Sequence, residues 1–253
     1  MNSAKVRALL VRGMLAGAVA GLFVFVFAYV VGEPPVDAAI GYEEAHAHGH
    51  EHGVEAVSRA VQSTAGLATA LLAFGTATGG IGALAFCFAL GRIGSFGARA
   101  TAALTALGAF VTVHLVPFLK YPGNPPAVGD PDTIGRRTVL FFLMIALSVL
   151  LGVLAVLLGR RLAARWGKGN ATVAAAGAFV VACALAMAFL PSLQEVPNGF
   201  PAAVLWQFRL ASIGMQALQW AVFGVVFGLL AERLLETRSR RAAAPDALGA
   251  TAH

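Results

Sequence analysis

Four imidazoles and three carboxylates fall within ten residues of one short stretch: Glu43, Glu44, His46, His48, His50, Glu51 and His52. In H-A-H-G-H-E-H every second residue is a histidine. Alternate side chains of an extended segment share a face, and Gly49 would let the chain fold so that several nitrogens meet one ion. Neutral imidazole suits Co, Ni, Cu and Zn, and the carboxylates add charge and oxygen ligands. The tract therefore signals metal capture without selecting the metal. The plainer alternative is a solvated loop that binds metal incidentally.

A second constellation runs from His114 to Thr138, H-L-V-P-F-L-K-Y-P-G-N-P-P-A-V-G-D-P-D-T-I-G-R-R-T, and interrupts a chain otherwise built of apolar runs. Five of the eleven prolines lie here, Pro125 and Pro126 among them, with Lys120, Asp130, Asp132, Arg136 and Arg137. Such a segment cannot continue a helix and is poorly suited to lipid, so it is expected to be a shaped polar loop at a membrane face. His114 lies one turn before Pro117, at the outer end of an apolar run. At that depth an imidazole has either a hydrogen-bonding partner or a water-filled cavity.

The elements that must position these residues are set by composition. Of 253 residues 58% are hydrophobic and 12% charged, and the mean hydropathy is +0.79, so the class is a polytopic all-α membrane protein. A span needs about 20 mostly apolar residues. Six segments qualify: Leu9 to Val31, Ala65 to Leu90, Ala100 to Leu119, Val139 to Leu158, Val173 to Leu190 and Leu210 to Leu230. The first is too long for a signal-peptide core and is read as a retained helix, with Gly13, Gly17 and Gly21 as two overlapping GxxxG steps for close packing. The expected organisation is a single membrane domain over residues 1–240, with an outer histidine-rich loop at 33–62, an outer proline-rich loop at 120–138, and an unstructured cytoplasmic tail at 241–253.

Charge orients the bundle. With both termini cytoplasmic, Lys5, Arg7, Arg12, Arg92, Arg99, Arg160, Arg161, Arg165, Lys168, Arg233, Arg238, Arg240 and Arg241 lie inside, thirteen of the eighteen basic residues. The net charge of +6 then reflects membrane topology and anionic lipid, and gives no reason to expect nucleic acid. Arg59, Lys120, Arg136, Arg137 and Arg209 are the outer exceptions, all at helix mouths. They are expected either to pair with Glu55, Asp130, Asp132 and Glu195, fixing the outer loops, or to bind an anionic chelate or lipid phosphate.

Each odd-numbered span exits into a proline-containing segment, and aligning Pro117 with Pro191 also aligns Leu119 with Leu193 and Asn124 with Asn198. Three related hairpins would explain this, and any bundle obeying the positive-inside rule would resemble it. Polar residues at helical spacing mark the second span (Arg59, Gln62, Gly66, Thr69, Thr76) and the sixth (Arg209, Ser212, Gln216, Gln219). These are interhelical glue or the lining of a path. Cys87 and Cys183 stand alone in apolar runs and read as packing residues. No phosphate-binding loop, G-x-S-x-G or H-E-x-x-H motif is present, so no enzyme activity is expected.

The segment from Val116 to Thr138 closely resembles the signature of the CbtA family, proposed cobalt transporter subunits of bacteria, and the resemblance extends over residues 1 to 240. It implies a multi-pass component of the bacterial inner membrane that takes up cobalt for cobalamin biosynthesis. It also implies a small single-span, histidine-bearing partner, CbtB. The family is usually described with about five spans, against the six counted here. On this reading His46, His48, His50 and His52, with Glu43 and Glu44, collect Co²⁺ outside. His114, Glu195 and the outer motif then pass it inward along Arg209 and Gln216, with no fixed cofactor. A membrane protein that senses or stores metal without transporting it is the alternative.

Overall fold

The computed structural model describes residues 2–46 and 57–249, with side chains to residue 236. His48, His50, Glu51, His52 and Glu55 lie outside the described residues. The described residues are mostly helical, without strands. Helix α1 (Ser3–Phe27) passes through a π-helical turn, Ala28–Gly32, into α2 (Glu33–His46). The short α3 (Arg59–Val61) leads through a second π turn, Gln62–Gly66, into α4 (Leu67–Ala89). Helix α5 (Ala98–Ala109) continues through a third, Phe110–Leu115, into α6 (Val116–Lys120). Helices α7 (Ile134–Phe189) and α8 (Ala202–Gly249) complete the chain.

Five of these continuous helical stretches are long and apolar enough to cross a membrane: Ser3–His46, Arg59–Ala89, Ala98–Lys120, Ile134–Phe189 and Ala202–Glu236. Six apolar segments were expected, and the difference lies in α7. Its 56 residues are interrupted at Gly167, whose φ of 73° and ψ of 162° are not helical and suit a residue without a Cβ. Beyond it the helix folds back on itself. A Cβ on Gly159 would lie 3.2 Å from that of Ala175. Met144 and Cys183 share one core cluster with Val116 and Tyr121. The two arms therefore contain the expected fourth and fifth spans as an antiparallel pair.

Two further expectations change. The segment 33–62, read as an outer loop, is helical at both ends, since α2 carries the chain to His46 and α3 resumes at Arg59. Helix α8 runs on to Gly249, into the alanine-rich tail expected to lack structure.

The described chain divides into two compact units. The first comprises residues 1–25, 66–107 and 218–253, so it holds both chain ends. Here α1 and α4 meet through glycine: a Cβ on Gly17 would overlap the Gly75 carbonyl, and one on Gly21 would lie 2.6 Å from the Leu71 carbonyl oxygen. Phe86, Phe223 and Phe227 form a buried aromatic stack beside this seam. Gly224 and Gly228 of α8 face Ala106 and Ala102 of α5 in the same small-residue manner. Arg12 donates to the Leu230 carbonyl at 2.9 Å, and Arg99 pairs with Glu232.

The second unit, residues 26–65 and 108–217, contains two of the π turns and all but the last residue of the other, with α2, the proline-rich segment and α7. In the third π turn, Val116 N–H reaches back five residues to the Val111 carbonyl. The next donor in that register would be Pro117, which has no N–H. The Thr112 carbonyl accepts instead from the hydroxyl of Ser148, a fully buried polar group on α7. A membrane core offers no water to satisfy such a carbonyl. This lone serine of an otherwise apolar span replaces the missing donor.

Candidate functional site

The proline-rich segment is shaped by one buried carboxylate. Glu195, whose side chain is only 6% exposed, receives Arg137 Nη1 at 2.7 Å, the Thr133 hydroxyl at 2.7 Å and Asn124 Nδ2 at 3.0 Å. Arg137 spends its other arm on the Pro122 carbonyl at 2.5 Å. Arg209 donates to the Gly123 carbonyl at 3.3 Å and to Asn124 Oδ1 at 3.2 Å. The segment thus folds around charge-assisted bonds from three separate stretches, and its backbone needs no regular structure to be satisfied. Within it, Asp130 accepts from the Asp132 amide at 2.9 Å and closes a turn before α7, with Ala127 at a positive φ of 64°. The Tyr121 hydroxyl donates to the Pro191 carbonyl at 2.8 Å and Lys120 to the Ser192 hydroxyl at 2.9 Å, which ties the end of α6 to the residues following α7. Burial pushes the Tyr121 phenol above its ordinary pKa, against the opposing charge of Arg136.

Two cavities flank this structure. A pocket of about 250 Å³ is lined by Lys120, Asn124, Arg137, Glu195 and Arg209. A larger one, about 450 Å³, is lined by His114, Phe118, Phe141, Ser212 and Gln216. Tyr121 and Arg137 line both, so these two side chains stand between them. Gln216 buries its Oε1 without a hydrogen bond. Ser212 donates to the Phe208 carbonyl at 2.8 Å, leaving its oxygen lone pairs.

The histidine tract begins on this unit. His46 ends α2, stacked on Tyr42 with ring centroids 4.1 Å apart, its Nδ1 2.8 Å from the Tyr42 carbonyl. A carbonyl only accepts, so Nδ1 carries a proton, and in the neutral ring Nε2 has the lone pair. Tyr42 in turn packs edge-on to Phe200, over a core of Ala39, Val128 and Leu205. Beyond the tract, Arg59 binds Glu33 and Asp37 of α2. Both ends of the histidine-bearing segment are thereby fixed to the same helix.

The residues singled out from sequence therefore separate. Glu195 and Arg137 meet, as one of the two explanations of the outer arginines requires, while Arg59 pairs with Glu33 and Asp37. Arg136, Arg209, Asp130 and Asp132 form no ion pair among the described residues. Glu195 and His114 line different cavities, and no group of three His, Cys, Asp or Glu side chains is placed to hold a metal ion among the described residues. Glu43 and Glu44 lie exposed on α2, and Pro125 and Pro126 form part of the turn whose Pro125 carbonyl accepts from Val128. Thr133, Tyr121 and Tyr42 were not singled out. Single hydroxyls carry no periodic signal, and only the position of Asn124 in the alignment with Asn198 hinted at its role.

No curated protein and no solved structure is similar enough to be matched to the chain. A family profile described as "Probable cobalt transporter subunit (CbtA)" matches residues 6–232, nearly the whole length. A transporter subunit is not a class of enzyme, and the long apolar helices agree with a multi-pass membrane protein. The chain belongs to the CbtA family of probable cobalt transporter subunits.

Proposed function

We propose that this chain forms the path by which Co²⁺ crosses the bacterial inner membrane for cobalamin biosynthesis, working with a small single-span, histidine-bearing CbtB-like subunit. The tract His46, His48, His50 and His52, with Glu43 and Glu44, concentrates the metal at the outer face. His46 supports this role, because a metal-ligating imidazole usually donates its other N–H to a carbonyl or carboxylate, as Nδ1 does here. From there the ion passes to the cavity lined by His114, Ser212 and Gln216.

The observation that carries this reading is that Gln216, whose Oε1 is buried without a hydrogen bond, lines that cavity beside His114 and Ser212. Leaving such an oxygen unsatisfied costs about 1–3 kcal/mol, a cost that a turn of the Gln216 side chain toward a cation in the cavity would remove. One imidazole with neutral oxygens is a suitable set for a first-row divalent ion. It is also a weak one. Conduction needs sites that hold an ion briefly, whereas storage needs several anionic ligands around one centre.

The test is radioactive cobalt accumulation in proteoliposomes holding this chain, with and without the small partner. Uptake should require the chain, and Gln216→Ala with His114→Ala should lower the maximal rate about tenfold at all cobalt concentrations. Changing His46, His48, His50 and His52 to Ala should weaken uptake only at low cobalt. No flux in any combination, with metal still bound at the tract, would favour the sensing or storage alternative.

A further inference from the structure

The smaller cavity has a charge balance at odds with a resting place for a metal cation. Lys120, Arg137 and Arg209 line it against one carboxylate, Glu195. That carboxylate is already occupied by Arg137, Thr133 and Asn124. Arg209 has no acidic partner among the described residues and binds only a carbonyl and an amide oxygen. Lys120 bonds a neutral hydroxyl. Two cationic groups thus face one pocket with their charge uncompensated, and holding like charges together in a partly buried space costs free energy unless an anion joins them.

We propose that this pocket binds a compact oxyanion, a phosphate or carboxylate group, between Arg209 and Lys120. The guanidinium of Arg209 presents a planar fork suited to two oxygens of such a group, and the ammonium of Lys120 adds a point charge beside it. Asn124 holds Arg209 through Oδ1 while its amide nitrogen binds Glu195, so the fork is set by the same contacts that shape the loop. The oxyanion comes either from the headgroup of an anionic lipid or from a soluble anion. This inference is independent of metal transport, since it concerns binding in a pocket that His114 and Gln216 do not line.

The experiment uses the full chain in nanodiscs of phosphatidylcholine, titrated with inorganic phosphate and followed by melting temperature. A parallel set of discs contains phosphatidylglycerol, and lipid retained after purification is identified by mass spectrometry. Arg209→Gln and Lys120→Gln are compared with wild type. Lys120→Gln leaves every Glu195 contact in place and serves as the conservative variant should Arg209→Gln fold poorly. Saturable stabilisation by phosphate in phosphatidylcholine, weakened about tenfold in each variant, establishes a soluble-anion site. Selective retention of phosphatidylglycerol by wild type, lost in the variants, establishes the lipid source. Equal behaviour of wild type and Lys120→Gln toward both phosphate and phosphatidylglycerol overturns the proposal.

Discussion

The two units of this chain hold their helices together by opposite means. In the first, Gly13, Gly17 and Gly21 bring the backbone of α1 against Gly75 and Gly79 of α4, with little polar chemistry at the seam. In the second, Glu195, Arg137, Asn124, Thr133 and Arg209 join three stretches by charge-assisted bonds. Lipid supplies no hydrophobic push between helices, so specificity has to come from close packing or from polar partners. Close packing leaves no space for an ion, whereas the polar arrangement encloses two cavities. The glycine seam therefore reads as scaffold, and both cavities, including the one on which the proposed function rests, lie in the second unit.

Substitutions should separate the two mechanisms. The largest effect is expected from Glu195→Ala, which leaves the Arg137 guanidinium without its carboxylate in a mostly buried setting. A loss of about 3–5 kcal/mol in the second unit follows from breaking such a pair, readable by detergent melting and by new proteolytic cleavage within 120–138. A loss below 1 kcal/mol would mean that the proline-rich segment is held by its own turns. Gly17→Val should cost about 1–3 kcal/mol, because its Cβ meets the Gly75 backbone and the helices must separate. Gly177→Ala tests the alternative that glycines here matter only for helix propensity. Nothing lies near its would-be Cβ, so the change should stabilise by about 0.5–1 kcal/mol. The smallest effect concerns pH. The pKa of Tyr121 is raised on folding, so its contribution is complete below the ordinary phenol value of about 10 and is lost as pH rises through the folded value. Melting curves of wild type and Tyr121→Phe should therefore converge at high alkaline pH.

Much of the membrane architecture was legible in the sequence, because apolar runs and basic flanks follow directly from the bilayer's thickness and charge. Glycines at four-residue spacing foretold close helix packing for the same kind of reason, since only small residues allow that approach, though not that α4 would be the partner of α1. The reversal at Gly167 was legible as a boundary between two runs. The antiparallel packing of the two runs, with Met144 and Cys183 in one cluster, was not, since an apolar count is blind to contacts. The site was less readable. Arg137 and Glu195 stand 58 residues apart, and no periodicity links a loop to a loop. The polar stripe of the second span, read at helical spacing from Arg59 to Thr76, crosses the π turn at Gln62–Gly66, where that spacing no longer holds. Thr76 bonds the carbonyl of its own helix, as a structural hydroxyl does. In the last span no such turn intervenes, and Arg209, Ser212 and Gln216 line the two cavities, while Gln219 is buried outside them.

The three π turns carry a consequence for how this chain tolerates changes in length. A π turn holds one residue more than the α-helical turn it replaces, and each residue advances the helix by about 100°. Deleting one residue other than His114 from Phe110–Leu115 would restore an α-helical turn of nearly the same rotation, so Phe118 and Tyr121 would keep their bearings toward the cavity they line. The same deletion in the regular part of α5 would swing everything beyond it by about 100°, and those side chains would leave the cavity together although no residue of the proline-rich segment had been altered. The π turns are thus the places at which these helices can lose a residue without disturbing what lies beyond them.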